Sequence, residues 1–171
     1  MLSPLLHDLY EVDPGITESH GSIFLYVYSK ELVLFKHETM GMPIGKKDQL
    51  KRLPSYIRNA TNSWVANFIS GVYDTDGSVK LRNTPTKKYP RISFAQKVQG
   101  VVADVKHLLN RFSISSTMYV NSYFDRRTGA LETRWFLDIN GYENFGLFMT
   151  QIGTRNPYTF NRIALLGLRG T

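Results

Sequence analysis

The alternation of apolar and polar positions predicts two strand pairs in the second half of the chain. Val79 and Leu81 alternate with basic residues, and after the turn region NTPTKKYP the alternation resumes through Ile92 and Phe94. A second pair follows in TMYVNSYF and ALETRWFLDI, around the turn DRRTG. A period of two is typical of strands with one buried face. We therefore expect two β-hairpins, each with an apolar face and a polar, basic face.

Apolar residues recur at helical spacing before, between and after these hairpins. One such stretch begins near Trp64, a second is VQGVVADVKHLLNRFSI, and two short helices are expected over 142–152 and 157–168. The order from residue 63 to residue 171 is therefore α-ββ-α-ββ-α. This order predicts an α+β fold, with helices on one face of an antiparallel sheet.

The first 62 residues carry a shorter pattern. We expect a helix over 5–12, a strand over 22–29 and a helix over 30–42, followed by the basic loop PIGKKDQLKRLP. This order matches the tail of a unit like the second one. We therefore divide the chain into an N-terminal extension, 1–62, which resembles part of a repeat, and a main unit, 63–171. The motif DTDG has no second copy, so any repeat is partial.

Charge and composition narrow the possible partners. Lys and Arg outnumber Asp and Glu by 21 to 14, which gives a net charge of +7, so we expect an anionic partner, most commonly nucleic acid. The absence of cysteine excludes disulfides, thiolate catalysis and cysteine-ligated zinc. No apolar run reaches the roughly 20 residues of a membrane span, and the start of the chain lacks a signal peptide. We expect an intracellular protein of the cytoplasm, or of an organellar matrix in a eukaryote, with no membrane partner.

The helix that begins near Trp64 ends in two carboxylates, in the sequence ISGVYDTDG. Acidic side chains are disfavoured at a helix C-terminus, because the helix dipole is already negative there. A compensating cation, and hence a metal site, is therefore indicated. The calcium loop of an EF-hand does not fit, because placing Asp74 first puts Val79 where the loop needs glycine. Gly71 lies inside the helix, where glycine costs about 1 kcal/mol relative to alanine, so it needs a packing reason.

ISGVYDTDG resembles the signature of the LAGLIDADG homing endonucleases, with matches at Gly71, Asp74, Asp76 and Gly77. The α-ββ-α-ββ-α order is that of the family's unit, and the segment from residue 28 onward resembles what precedes the second signature in two-repeat members. The resemblance implies the LAGLIDADG homing-endonuclease fold with a saddle-shaped antiparallel sheet. It also implies a site-specific endonuclease that hydrolyses both strands of DNA at a long target site.

The resemblance further implies a metal-dependent site. Asp76 takes the position of the family's metal-binding catalytic aspartate, and Thr75 would offer its backbone carbonyl to the metal. The expected ion is Mg²⁺, with Mn²⁺ as an alternative and Ca²⁺ as a non-productive substitute. Gln96 matches a residue that orders solvent near the scissile phosphate, or is a strand-end amide bonded to backbone. The family often has a lysine at the end of the last strand, where this chain has Asn140, and Lys97 is the candidate substitute.

Two surfaces follow from the same resemblance. The polar strand faces would contact double-stranded DNA, unless they are ordinary solvated sheet faces, and the hairpin tips would contact its backbone. The expected contacts are Lys80, Arg82, Arg91, Ser93, Tyr119, Asn121, Tyr123 and Arg134 on the strands, and Lys87, Lys88, Arg126 and Arg127 at the tips. The signature helix would pair with that of a second copy in a homodimer. The residues expected at this interface are Ala66, Ser70, Gly71 and Asp74.

Two other functions stay open within the same fold. One is an RNA maturase that assists intron splicing, and the other is a DNA-binding regulator that no longer cuts. The regulator predicts lost acids, which Asp76 argues against, whereas the asparagine at position 140 argues for it. The compact chain, which starts with Met and shows no protein-splicing domain, favours an intron-encoded enzyme.

Overall fold

The structure is a computed structural model, and it describes residues 3–19, 22–45, 50–126 and 129–167. The chain forms two compact units, Met1–Lys46 and Lys47–Thr171. Within the described ranges, no helix is long and apolar enough to cross a lipid bilayer.

The first unit contains a short hairpin between two helices. Its elements are α1 (Ser3–Tyr10), β1 (Gly15–Ser19), β2 (Ser22–Tyr26) and α2 (Lys30–Glu38). The sequence did not predict β1, because GITES holds a single large apolar residue and no alternation. Side chains whose placement is described in this unit are all exposed or half-buried. The assignment of 1–62 as the tail of a partial repeat stays a prediction.

The second unit has the predicted order, preceded by one additional short helix. Its elements are α3 (Ser55–Arg58), α4 (Asn62–Asp76), β3 (Gly77–Asn83), β4 (Lys88–Gln96), α5 (Gln99–Asn110), β5 (Thr117–Asp125), β6 (Ala130–Asn140), α6 (Tyr142–Gln151) and α7 (Pro157–Leu165). The four strands form one antiparallel sheet in the order β3-β4-β6-β5. The predicted α+β class is therefore confirmed.

The core lies between the helices and one face of this sheet. Val79, Ile92 and Ile139 stand side by side on neighbouring strands, and all three are buried. Val65 and Ile69 of α4 are fully buried, and α5 adds a further set of buried apolar side chains. The other residues of each strand point to the opposite face, as the alternation predicted.

A buried carboxylate fastens the segment before α4 to α5. Asp104 is 4% exposed, and it accepts hydrogen bonds from Arg52 Nη2 at 2.6 Å and from the Leu53 backbone N–H at 2.9 Å. A β-carbon on Gly100 would clash with the carbonyl oxygen of Lys51, so the segment crosses the first turn of α5 at close range. Residues 50–58 are therefore packed into the second unit.

Candidate active site and nucleic-acid interface

Helix α4 runs into strand β3 without a loop. Its C-cap is Gly77, whose backbone N–H donates to the Tyr73 carbonyl oxygen, and whose backbone is already extended. A β-carbon at position 77 would lie 2.5 Å from that carbonyl oxygen, so any larger residue would push the strand away from the helix. The glycine thus fixes a tight helix-to-strand junction, and Asp76 is the last helical residue before it.

This junction brings Asp76 next to Gln96. Because Gly77 pairs with Phe94 across β3 and β4, the end of β4 lies beside the end of α4. Gln96 Nε2 donates to Asp76 Oδ2 at 2.8 Å, and the Asp76 side chain is exposed. The sequence prediction named both residues, and the fold places them in direct contact. Thr75, between the two acids, donates its hydroxyl to the carbonyl oxygens of Gly71 and Val72, each at 3.1 Å.

The other acid of the signature is held by the turn between α6 and α7. We call Thr154, Arg155 and Asn156 the TRN clamp. The Thr154 hydroxyl and the Arg155 backbone N–H, the latter at 3.0 Å, donate to the Asp74 carboxylate. Asn156 Nδ2 donates to the Asp74 carbonyl oxygen at 2.9 Å, and its side-chain oxygen caps α7. Asp74 is therefore compensated by hydrogen-bond donors, and of the two acids only Asp76 offers an exposed carboxylate.

The two candidates for the basic residue lie in different places. Lys97 Nζ forms an ion pair with Glu132 at 2.8 Å. Asn140 pairs with Arg91, whereas Gln96 pairs with Trp135 at the other end of the same strand pair. Arg91, the partner of Asn140, lies five residues before Gln96 along β4, a distance of about 17 Å. Asn140 therefore lies at the other end of the β4–β6 pairing from Gln96, which bonds Asp76.

The polar face of the sheet carries the residues expected to contact DNA. We use "polar face" for the sheet side that bears Lys80, Arg82, Arg91, Ser93, Tyr119, Asn121, Tyr123 and Arg134. At its centre Asp138, which sequence analysis did not single out, is only 2% exposed. Arg91 Nη1 lies 2.9 Å from its carboxylate, and the Ser93 hydroxyl donates to it at 2.6 Å. Burial, and then the charge and hydrogen bonding of Asp138, raise the pKa of Tyr119.

The outer part of the polar face has looser contacts. The Arg134 guanidinium lies 5.4 Å from the ring centre of Tyr123, and Asn121 is its cross-strand neighbour. Of the hairpin tips, Lys87 closes a turn with Thr84 through bonds of 2.8 to 3.0 Å. The remaining tip residues are Lys88 and Arg126, which are exposed, and Arg127, which lies outside the described residues.

Helix α4 carries a stripe of largely exposed residues. Trp64, Phe68, Gly71 and Thr75 recur at spacings of four, three and four residues; Trp64 is 74% exposed, whereas Phe68 is half-buried and packs in part against the core. A β-carbon added to Gly71 would have no neighbour within 4 Å. Ser70, expected beside Gly71 at the dimer interface, is instead on the core side, 3% exposed. The other two expected interface residues, Ala66 and Asp74, are half-buried.

No three His, Asp or Glu side chains come together as a metal-binding group in the described ranges. The Asp76 carboxylate, the Gln96 amide and the backbone carbonyls of the helix end supply oxygen, which is the donor atom that Mg²⁺ and Mn²⁺ prefer. A hard divalent ion thus fits the chemistry of the donors present. One carboxylate is a weak site by itself, so a strong site would need further oxygen donors.

Comparison with known proteins identifies the family of the second unit. The sequence model of the LAGLIDADG-like domain matches residues 63–153. The tRNA-splicing ligase RtcB of Methanocaldococcus jannaschii is 31% identical over 133 residues, which are 74% of this chain and 13% of that protein. The probable translation initiation factor IF-2 of Thermococcus kodakarensis is 30% identical over 121 residues, 71% of this chain and 9% of that protein. The chain thus spans about an eighth or less of these relatives.

Solved structures of the homing endonuclease I-DmoI share the fold. One set, of its mesophilic variants, superposes with a TM-score of 0.60 at 20% identity and covers 90% of this chain and 72% of that one. The complex of I-DmoI with DNA and Mn gives a TM-score of 0.60 at 19% identity, with the same coverage. A complex of an I-DmoI variant with its target DNA in the presence of Mg gives 0.57 at 20% identity, with 88% and 69% covered.

Proposed function

The chain belongs to the family of LAGLIDADG-like domains, and we propose that it is a metal-dependent endonuclease that cuts double-stranded DNA at a specific, long site. The observation that carries this proposal is the contact between Asp76 and Gln96 at the helix-to-strand junction. It combines an exposed carboxylate with an amide that orients it, next to a sheet face rich in arginine and lysine. The net charge of +7 suits a polyanionic substrate.

In this proposal, the Asp76 carboxylate and the Thr75 carbonyl hold Mg²⁺ or Mn²⁺, whereas Ca²⁺ binds without supporting cleavage. Closely spaced divalent ions would activate a water and stabilise the leaving oxygen of the phosphodiester. Gln96 holds the carboxylate in one orientation through its Nε2–H, and its amide oxygen can accept a hydrogen bond from solvent at the scissile phosphate. Asp74 keeps the helix end in place and binds no metal, since its carboxylate is engaged by the TRN clamp.

The second carboxylate would come from another copy of the chain. The exposed stripe of α4 supports a homodimer through this helix, because it presents Trp64 and a glycine whose backbone a partner helix can approach closely. A dimer places one Asp76 near each DNA strand, which suits a double-strand break. It also requires a target site with approximate two-fold symmetry.

The activities named for the relatives are not assigned to this chain. A ligase and an initiation factor share only a segment of about 120 to 130 residues with it. We therefore infer that this segment is a separate module within those proteins, and neither activity is proposed here. An intron-encoded origin remains a proposal as well.

The test is cleavage of a plasmid library that carries candidate target sites, first in Mg²⁺ and then in Ca²⁺. We expect linear product from specific sites in Mg²⁺, and binding without cleavage in Ca²⁺. Asp76→Asn should abolish cleavage and leave binding largely intact, because it removes a metal ligand from an exposed position without altering the sheet. The matched control is Asp8→Asn in α1, which should cut like the wild type.

Other results would assign the chain to another class. Normal cleavage by Asp76→Asn would refute the metal assignment. Specific DNA binding with no cleavage by the wild type in either metal would support the regulator. Promotion of intron RNA splicing without DNA cleavage would support the maturase.

A further inference from the structure

The polar face contains a buried carboxylate, although a negative charge is unfavourable on a surface proposed to bind DNA. Asp138 lies at the centre of the sheet, with Ser93 beside it on β4 and Thr117 beside it on β5. It is 2% exposed, so its charge has lost most of its hydration. A buried carboxylate facing phosphates is unfavourable unless strong local partners compensate it. Its partners therefore indicate what it does.

The main partner is Arg91, which is held at two points. Its Nη1 lies 2.9 Å from Asp138 Oδ2, and its Nε donates to the side-chain oxygen of Asn140 at 2.9 Å. These two bonds fix the plane of the guanidinium and use two of its five N–H donors. The side chain is 14% exposed, and three of its five N–H donors are not used by these two bonds.

We infer that Asp138 and Asn140 are positioning residues that hold Arg91 for direct recognition of one guanine in each half of the target DNA. This inference rests on the proposed function. A guanidinium presents two parallel N–H donors that match O6 and N7 of guanine in the major groove. Fixing its plane before binding removes most of the rotamer freedom that contact would otherwise cost. A fixed arginine therefore discriminates between bases more sharply than a mobile one.

The neighbours of Arg91 agree with this role. Lys80 lies directly opposite it on β3, and such like-charged pairs are unfavourable unless an acid compensates them, as Asp138 does here. A lysine at position 140 would add a third positive charge and could not accept the Nε–H. Asparagine, which departs from the pattern expected for this position, is thus what the arrangement needs. Arg134, by contrast, lies over the ring of Tyr123, and its Nη2 is 4.0 Å from Glu132, beyond hydrogen-bond distance.

The alternative is an ion pair that only stabilises the sheet. Both explanations predict some loss of stability when Asp138 is changed, so stability cannot separate them. They differ in the base preferences of the protein. A purely structural pair weakens DNA binding equally at all positions of the target, whereas a positioning role alters one base pair in each half-site.

The experiment measures base preferences by selection from a randomised DNA library in Ca²⁺, for full-length wild type, Asp138→Asn, Arg91→Lys and the double variant. We expect both single variants to lose about 10- to 100-fold of guanine preference at the same position, with less than about two-fold change elsewhere. The double variant should lose no more guanine preference than either single variant. Asp138→Asn is nearly isosteric and can still accept the Ser93 hydroxyl, so the sheet is retained. Arg134→Lys is the matched control and should leave that position unchanged.

Three outcomes would overturn the inference. In the first, Asp138→Asn keeps the wild-type preferences; in the second, it weakens binding uniformly. In the third, Arg91→Lys affects a different position from Asp138→Asn. If instead the wild type itself shows no preference at any position and cuts no site in Mg²⁺, both the inference and the proposed function fail.

Discussion

Gly71 offers a direct test of how α4 is used. It lies in the interior of a 15-residue helix, on the exposed stripe, and a β-carbon there would have no neighbour within 4 Å. In a helix interior, alanine is more favourable than glycine by about 0.8–1.0 kcal/mol. Because no clash offsets this gain, Gly71→Ala should raise the free energy of unfolding of the monomer by about 1 kcal/mol. The glycine therefore has no packing reason within the described part of the chain.

A partner helix would supply that reason. Where two helix backbones meet at a glycine, an added methyl group forces them apart, and such overpacking costs about 1–3 kcal/mol. Gly71→Ala should then weaken dimerisation by about 5- to 150-fold in Kd. Cleavage of both strands should fall in parallel, because each active site would lose its second carboxylate. The same substitution is thus expected to stabilise the monomer and to destabilise the dimer.

The assay combines two measurements. Urea denaturation at protein concentrations well below Kd reports the stability of the monomer, and sedimentation equilibrium reports its association. Gly146→Ala is a matched control, since Gly146 lies inside α6 and an added β-carbon there also meets nothing within 4 Å. It should gain similar stability and associate normally. If Gly71→Ala dimerises as tightly as Gly146→Ala, the exposed stripe of α4 is not the interface.

Two further predictions concern the core and the helix end. Tyr73→Phe should raise the free energy of unfolding at pH 7 by about 1 kcal/mol, because no protein group in the described ranges bonds the buried hydroxyl. Burial also raises the pKa of Tyr73, so the fold keeps the phenol neutral at a pH where the unfolded chain ionises it, and the wild type loses stability as the pH rises above about 10. Urea denaturation at pH 8 and near pH 10.5 should show a steeper loss for the wild type than for the variant, and equal losses would contradict this. Asp74→Asn should lower the free energy of unfolding by about 1–3 kcal/mol in the same assay, because the TRN clamp loses a charged acceptor, whereas Asp76→Asn should leave it nearly unchanged.

The hairpins could be predicted because the alternation of apolar and polar residues within each strand indicates which of its faces is buried. Val79, Ile92 and Leu137 all lie on the apolar face that their alternation indicated. The neighbours across strands could not be predicted in the same way. Arg91 and Asn140 are 49 residues apart, and their contact depends on the pairing of β4 with β6, which local patterns do not specify. Asn140 was therefore interpreted only as the position of the family's lysine, and its bond to Arg91 could not be expected.

The signature helix shows a similar limit. Ser70 and Gly71 are adjacent small residues, and sequence analysis placed both on the same helix surface. Successive residues on a helix are rotated by about 100°, so the two face different surroundings, and only the packing of α4 on the sheet determines which is buried. The two acids were likewise expected to need a cation. The sequence does not show that donors 80 residues further along the chain reach Asp74.

That separation has a consequence for the newly made protein. Synthesis proceeds at about 5–20 residues per second, so roughly 4 to 16 s pass between the translation of Asp74 and that of Thr154. During this interval the helix end has been made, but the donors that hold Asp74 have not. A chain interrupted between Asp76 and Thr154 would keep both acids and lack the clamp. For the proposed endonuclease, the end of the signature helix thus lacks these hydrogen bonds until residues 154–156 have been made.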